Sequence, residues 1–377
     1  MLKNKIKLSV RFIEKIISVK GHITFVNPVN SFAFSLNKNM EKISGNFDDV
    51  LVSDIELAFR PPCKKYEILF NAGSNDISFS YVGPVSGWNS FIEEDRIAAN
   101  FYSAWYPVVE SKELDEVSIF LYGLEDYVVL NGEFNLIDKT WRCRKNPDDP
   151  YNILAFKKDN YLVYENNNAV AYYFDNSEKQ AAIKSAEAVE DIIRYFNGGL
   201  FPKRDFNKYL LVSFSNFNEN GGYIRGNLIV TGHFEKNEDS AVSFLAHEIA
   251  HEWCTGADFS FEDWLNETTA EWASLMYMHE VKQNSDYFNK KIEYHKEIAN
   301  DSPPIKPADL KRPQKGVHSK GTVLFFGIYE KYGIEEIKKL LRIFVGLEEK
   351  TTDEFLRQIE AHNMDIAHYL AKGILIQ

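Results

Sequence analysis

The chain has 377 residues, a formal charge of −12, and 45% hydrophobic and 14% aromatic residues. That much apolar material excludes a disordered chain, and the length is more than one core usually organises, so two domains are expected. No dense basic block is present to neutralise phosphates, which excludes nucleic acid as a partner, and no apolar run approaches ~20 residues, which excludes a membrane span.

The N-terminal stretch MLKNKIKLSVRFIEKIISVKGH is basic but lacks a continuous apolar run and a small-residue cleavage site. No signal peptide is read there, and a cytoplasmic location is expected. The three cysteines, Cys63, Cys143 and Cys254, are far apart and odd in number, so they form no disulfide framework. Cys254 lies three residues after His251 and is read as a small buried hydrophobe.

Residues from about 20 to 175 read as strands. EILFNAGSNDISFSYVG alternates around a turn expected at Gly73-Ser74-Asn75, and EVSIFLYGLEDYVVLNGEFNLID continues in the same style. NPDDP and ENNNA read as turns. An antiparallel β domain over residues 1–174 is expected, followed by a mostly helical domain over 175–377, an α+β arrangement.

The second region opens with Ser177 and Gln180, a capping-box pair. Ile183, Ala186, Val189, Ile193 and Phe196 follow at helical spacing, and Asn197-Gly198-Gly199 ends the helix. YLLVSFS and GNLIVTG read as buried strands, the latter preceded by Gly221-Gly222. SAVSFLAHEIAHEWC (240–254) reads as a helix with Asp239 as its cap, and LNETTAEWASLMYMHEV (265–281) as the next. A proline-rich link, SPPIKPADLKRP, leads to a helical tail beginning near Ser319.

Within the first of these helices, His247 and His251 are four residues apart. They differ by roughly 40° around the axis and one turn along it, so both imidazoles can reach one point. Glu248 sits about 100° away, close enough to approach a ligand at that point without binding it. The flanking Val242, Leu245, Ala246, Ile249 and Trp253 are apolar, and burying two histidines and a glutamate among them is costly unless something pairs with them. A metal ion would satisfy all three, with Glu248 as a base.

Two imidazoles are too few for tetrahedral zinc, which needs a third protein ligand and keeps one position for water. WLNETTAEW supplies Glu267 on the following helix, and Glu271 lies on the same face four residues on. Glu267 is the expected third ligand and Glu271 the expected acceptor for the free ring N–H of a histidine; the plain alternative is two helix-surface acids. Two imidazoles and a carboxylate suit one zinc ion per chain. His279, His295, His362 and His368 sit in expected helices without a partner motif and are read as structural or solvated, while Trp264 and Trp272 are read as packing the ligand helix.

HEIAHEW followed by WLNE resembles the zinc motif of the gluzincin metallopeptidases, in particular the aminopeptidase N and leukotriene-A hydrolase family. LFPKRDFNKYLLV with the following Gly-Gly segment, HSKGTVLFF, TTDEFLRQIEAHNMDIAHYL and YNILAFKKDNYLVYE resemble other parts of that family, in the right order. The resemblance implies an N-terminal β-saddle or sandwich and a thermolysin-like zinc peptidase domain, with a peptide as substrate. The chain ends where that catalytic domain would end, so the family's large helical C-terminal domain is expected to be absent. The oligomeric state is left open.

The chain departs from the family at three places. Fifteen residues separate His251 from Glu267, three fewer than usual. The family's Gly-x-Met-Glu-Asn segment, whose acid holds the substrate's free amine, falls at GGYIRG, where Ile224 and Arg225 stand in place of the acid. Arginine would repel a cationic amine, so strict aminopeptidase activity is not expected, although Gly221, Gly222 and Tyr223 still offer an extended strand to a peptide. The family's catalytic tyrosine falls at His318, whose imidazole N–H can also donate to an oxyanion. The resulting expectation is hydrolysis of peptides by a zinc-activated water with Glu248 as general base. The rival readings are an inactive peptide-binding relative and a zinc hydrolase of a non-peptide substrate.

Overall fold

The structure, a computed structural model, describes residues 4–57, 60–109, 114–130, 132–145, 152–214, 222–232, 234, 237–306 and 316–375. The chain divides into two compact units, Met1–Leu162 and Val163–Gln377. The turn expected at NPDDP and most of the proline-rich link lie outside the described residues.

The first unit holds β1 (Lys5–Ile13), β2 (Ile16–Asn37), β3 (Glu41–Gly45), β4 (Asp49–Ile55), β5 (Cys63–Pro84), β6 (Phe91–Ile92), β7 (Arg96–Ala99), β8 (Glu116–Tyr122), β9 (Tyr127–Val129), β10 (Glu133–Asn135), β11 (Thr140–Lys145) and β12 (Ile153–Lys157). One sheet runs β10-β11-β8-β1-β2-β5-β3 with β4 also on β5, and a second runs β6-β7-β12-β9. Alternate residues of β1 and β2 are buried, Leu8, Val10, Ile17 and Val19 among them, which is the period-2 pattern of a sheet with one covered face. Phe34 stacks on Tyr66 and Phe79, so the aromatic richness of this region fills its core.

Two sequence expectations change here. The pairing is antiparallel except between β1 and β8, which run parallel. Gly73-Ser74-Asn75 is no hairpin turn: β5 is one strand of 22 residues. Its ladder with β2 shifts register between Thr24 and Ser31, and Gly73 takes φ +72° opposite that irregularity. The irregularity in the ladder takes up the glycine where a turn was read.

Strand β13 (Leu162–Glu165) starts at the last residue of the first unit and runs into the second, joined to β14 (Ala169–Tyr173) through the turn read at ENNNA. Then come α1 (Lys179–Tyr195), β15 (Tyr209–Ser213), β16 (Gly222–Arg225), β17 (Leu228–Thr231), α2 (Glu238–Ala250), α3 (Trp264–Glu280), α4 (Ser285–Asn300), α5 (Val317–Tyr332), α6 (Ile334–Gly346), α7 (Thr352–His362) and α8 (Met364–Leu375). The sheet order is β13-β14-β15-β17-β16, with β14, β15 and β17 parallel and β16 antiparallel at the edge among the described strands. The boundary expected after residue 174 therefore falls earlier, since β13 and β14 hydrogen-bond into the sheet of the second unit.

Both expected helix caps move. Ser177 and Gln180 form no capping box. Glu178 turns inward, where its carboxylate accepts from the backbone N–H groups of Phe174 and Phe234 and from the Ser213 hydroxyl. At α2 the cap is Asn237, whose side chain accepts from Ser240 N at 3.0 Å, and Asp239 lies in the first turn. The read helix end at Cys254 comes back to Ala250, after which the chain continues in tight turns.

Helices α2 and α3 pack antiparallel, and matched rungs set their register. The hydroxyls of Ser243 and Ser274 meet at 3.0 Å, and Ser274 also donates to the Ser243 carbonyl. One turn on, His247 faces Glu271, and another turn on, His251 faces Glu267. Trp264 and Trp272 are fully buried, their indole N–H groups donating to Thr352 Oγ1 and the Thr322 carbonyl. Helix α5 approaches α3 closely at Gly321. A Cβ there would lie 2.0 Å from Thr268 Oγ1 and 2.9 Å from the Trp264 ring. Replacing Gly321 by Ala is expected to cost about 1–3 kcal/mol of stability through overpacking. Urea unfolding measures it, and an unchanged midpoint would contradict this close approach.

Candidate metal centre

The short connection between α2 and α3 still delivers Glu267. Asn266, one residue before it, accepts from Ala257 N (3.1 Å) and donates to the Ala257 carbonyl (3.0 Å) and Asp263 Oδ1 (2.9 Å). This clamp holds the loop against the first turn of α3 and compensates for its length. Cys254 contributes its backbone: the carbonyl accepts from His251 Nδ1 at 3.0 Å. Its thiol is buried, which pushes the pKa up to about 12 and keeps the sulfur protonated, as befits a packing residue.

His247, His251 and Glu267 converge. His247 Nε2 stands 3.2 Å from His251 Nε2 and 3.3 Å from Glu267 Oε2, and His251 Nε2 stands 3.7 Å from Glu267 Oε1. Among the described residues this is the one group of three or more His, Cys, Asp or Glu side chains whose ligand atoms lie mutually within 4.8 Å. Atoms bound at ~2.0–2.1 Å to a tetrahedral zinc stand about 3.3 Å apart, so the spacing fits such an ion.

The hydrogen bonds around the rings decide which atoms face inward. The Cys254 carbonyl can only accept, so His251 Nδ1 carries the proton. Glu271 Oε2 accepts from His247 Nδ1 at 2.8 Å. Burial works to raise the pKa of Glu271, but Lys291, His247 and His295 outweigh it and hold the carboxyl well below its usual range, so it too only accepts. Both Nε2 atoms are then left with lone pairs pointing at each other and at the Glu267 carboxylate. For Glu267, burial is opposed by His318, His251 and His247, which keep it ionised. Three electron-pair donors this close repel unless something positive lies among them. One relief is a proton: burial disfavours charge on His247, yet hydrogen bonds to Glu267 and Glu271 hold its pKa well above the ordinary value. A divalent cation meets all three groups at once, and the chemistry of the donor set fits zinc.

The other expected residues surround this point differently. Glu248 is 7% exposed on α2, and burial raises its carboxyl pKa against the lowering effect of His247 and His251. His318, in the first turn of α5, brings Nδ1 to 3.8 Å from Glu267 Oε2 and Nε2 to 3.6 Å from Asp263 Oδ2. Burial works against its protonated form, but Glu267 and Asp263 raise its pKa.

Gly221 lies outside the described residues. Gly222 begins β16, where a Cβ would meet the Val230 carbonyl at 2.0 Å and the Phe244 ring at 2.6 Å, so this glycine lets the edge strand close on α2. The side chains of Tyr223 and Ile224 are buried. Arg225 is half-buried at the end of β16, donates from Nη1 to the Ile224 carbonyl at 2.6 Å, and is near enough to Glu248 to lower its pKa. His295, read from its sequence context as structural or solvated, sits 2.9 Å from Glu271 Oε1. Its helix carries no motif that points to Glu271; only the packing of α4 on α3 joins them.

No family model matches the sequence, and no curated protein matches it. Solved structures do resemble the fold. Native leukotriene A4 hydrolase from Saccharomyces cerevisiae superposes with a TM-score of 0.70 at 12% identity, over 98% of this chain and 66% of that enzyme. The M1 zinc metallopeptidase from Deinococcus radiodurans, in a mutant form bound to a Tyr-Ser-Ala substrate, superposes with a TM-score of 0.64 at 11% identity, over 99% of this chain and 93% of that one. At such identities the likeness is one of fold.

Zinc binding is expected to stabilise the chain measurably. Zinc at a thousandfold excess over Kd adds about 4 kcal/mol to the folded state. A calorimetric or fluorescence melt should show a higher midpoint that a chelator reverses, and a midpoint indifferent to zinc would contradict the site.

Proposed function

We propose that this chain is a zinc-dependent metallopeptidase, with His247, His251 and Glu267 holding the metal and Glu248 serving as general base. The observation that carries this reading is the convergence of the two Nε2 lone pairs and the Glu267 carboxylate within 3.2–3.7 Å, beside a buried carboxylate that does not join them. The likeness in fold to a zinc metallopeptidase bound to a tripeptide supports it.

Zinc in such a socket supplies Lewis acidity, making water acidic near neutral pH and drawing charge from a carbonyl oxygen. The protein's part is proton traffic and positioning. Glu248, its pKa raised by burial, takes a proton from the water whose oxygen adds to the scissile carbonyl carbon. As the C–N bond breaks, Glu248 passes that proton to the departing nitrogen. His318, whose pKa Glu267 and Asp263 raise, donates a ring N–H hydrogen bond to the oxyanion. The backbone of β16 offers an extended peptide a strand partner.

Arg225 sets the kind of peptide. Its positive charge, felt at Glu248, disfavours a protonated amine beside the scissile bond. Among matched peptides with free and acetylated N-termini, the free amine should therefore give no gain in kcat/KM, and a strong preference for it would contradict this assignment. Replacing Glu248 by Gln is expected to leave zinc stoichiometry intact and lower kcat by about 10²–10⁴-fold. Peptide hydrolysis together with metal analysis checks both halves, and turnover that survives would remove Glu248 as the base.

A further inference from the structure

His295 lies on α4, away from the sequence motif, yet both its ring nitrogens are engaged. Nε2 is 2.9 Å from Glu271 Oε1, Nδ1 is 2.9 Å from Ser319 Oγ, and the residue is 7% exposed. Glu271 in turn divides its two oxygens. Oε2 accepts from His247 Nδ1 at 2.8 Å, and Oε1 faces His295, with Lys291 Nζ 3.7 Å away. A continuous chain of buried polar groups thus runs from His247 on α2, through Glu271 on α3 and His295 on α4, to Ser319 on α5, the neighbour of His318.

A carboxylate that holds one imidazole through one oxygen can still turn about its terminal bond. A second donor on the other oxygen removes that freedom and fixes the plane. Because Glu271 sets the tautomer and tilt of His247, whatever fixes Glu271 also fixes the direction of the His247 Nε2 lone pair. Lys291 adds charge from 3.7 Å, beyond hydrogen-bond length, and does not set a direction. Ser319 fixes the other side of the His295 ring.

We propose that His295 is a positioning residue of the metal centre, orienting the ligand His247 through Glu271 and thereby raising metal affinity. This rests on reading the centre as a metal site.

The test measures zinc affinity of the full chain by competition with a chromogenic chelator, in wild type, His295→Leu and His295→Gln, with circular dichroism of each metal-free form as the fold control. Leucine keeps bulk and removes both hydrogen bonds; the amide of glutamine can still donate to Glu271 Oε1. His295→Leu is expected to bind zinc about tenfold more weakly, within the usual range for partners of metal ligands, and His295→Gln to recover most of the loss. A role limited to packing would not separate leucine from glutamine in this way. Should His295→Leu fail to fold, His295→Asn takes its place, being polar but too short to reach Glu271. Equal affinity in wild type and the folded His295→Leu or His295→Asn variant overturns this proposal alone, while a wild-type chain that binds no zinc overturns the metal reading and this proposal with it.

Discussion

Three electron-pair donors held within 3.2–3.7 Å of one another are the constraint around which the second unit is organised. Each donor faces inward because its other side is already committed: His247 to Glu271, His251 to the Cys254 carbonyl, and Glu267 to a helix whose first turn is clamped by Asn266. Such an arrangement is repulsive by itself. A proton on His247 relieves part of that repulsion and a divalent cation relieves all of it, while the buried hydrogen bonds behind the rings prevent the side chains from relaxing away.

The scaffold meets that demand through register. The serine pair 243 and 274 pins α2 to α3, and the two rungs that follow place His247 against Glu271 and His251 against Glu267. The close approach at Gly321 draws α5 onto α3 and brings His318 to the edge of the centre. On the other flank, Gly222 admits the edge strand β16 against α2, so a surface able to pair with an extended chain ends beside Glu248. The residues proposed as metal ligands, base and oxyanion donor, together with the strand edge, are therefore brought together by helix and strand contacts within one packed unit.

The local part of this site is legible in the sequence because helical periodicity is local. Positions 247 and 251 share a face whatever else the chain does, and Glu267 and Glu271 share one by the same rule. What brings the two pairs together is long-range packing, which only the motif could anticipate. His295 had no such signal: the residues around it in KKIEYHKEI describe an ordinary amphipathic helix, and its partner is 24 positions away on another element. Elsewhere, local rules misled where tertiary contacts outweighed them. The capping box expected of Ser177 and Gln180 does not form, and Glu178 between them turns inward to satisfy two backbone N–H groups and a hydroxyl. Gly73 lies at a ladder irregularity within a long strand. The strands at 162–173 look like a continuation of the first unit but add to the sheet of the second.

The central claim is that one ion sits where these lone pairs meet. Anomalous scattering from a zinc-soaked crystal, recorded on both sides of the zinc absorption edge, tests it most directly. The account predicts a single strong peak about 2 Å from His247 Nε2, His251 Nε2 and a Glu267 oxygen. A peak that engages other residues, or a Glu267 carboxylate turned away with no substitute donor, would contradict it.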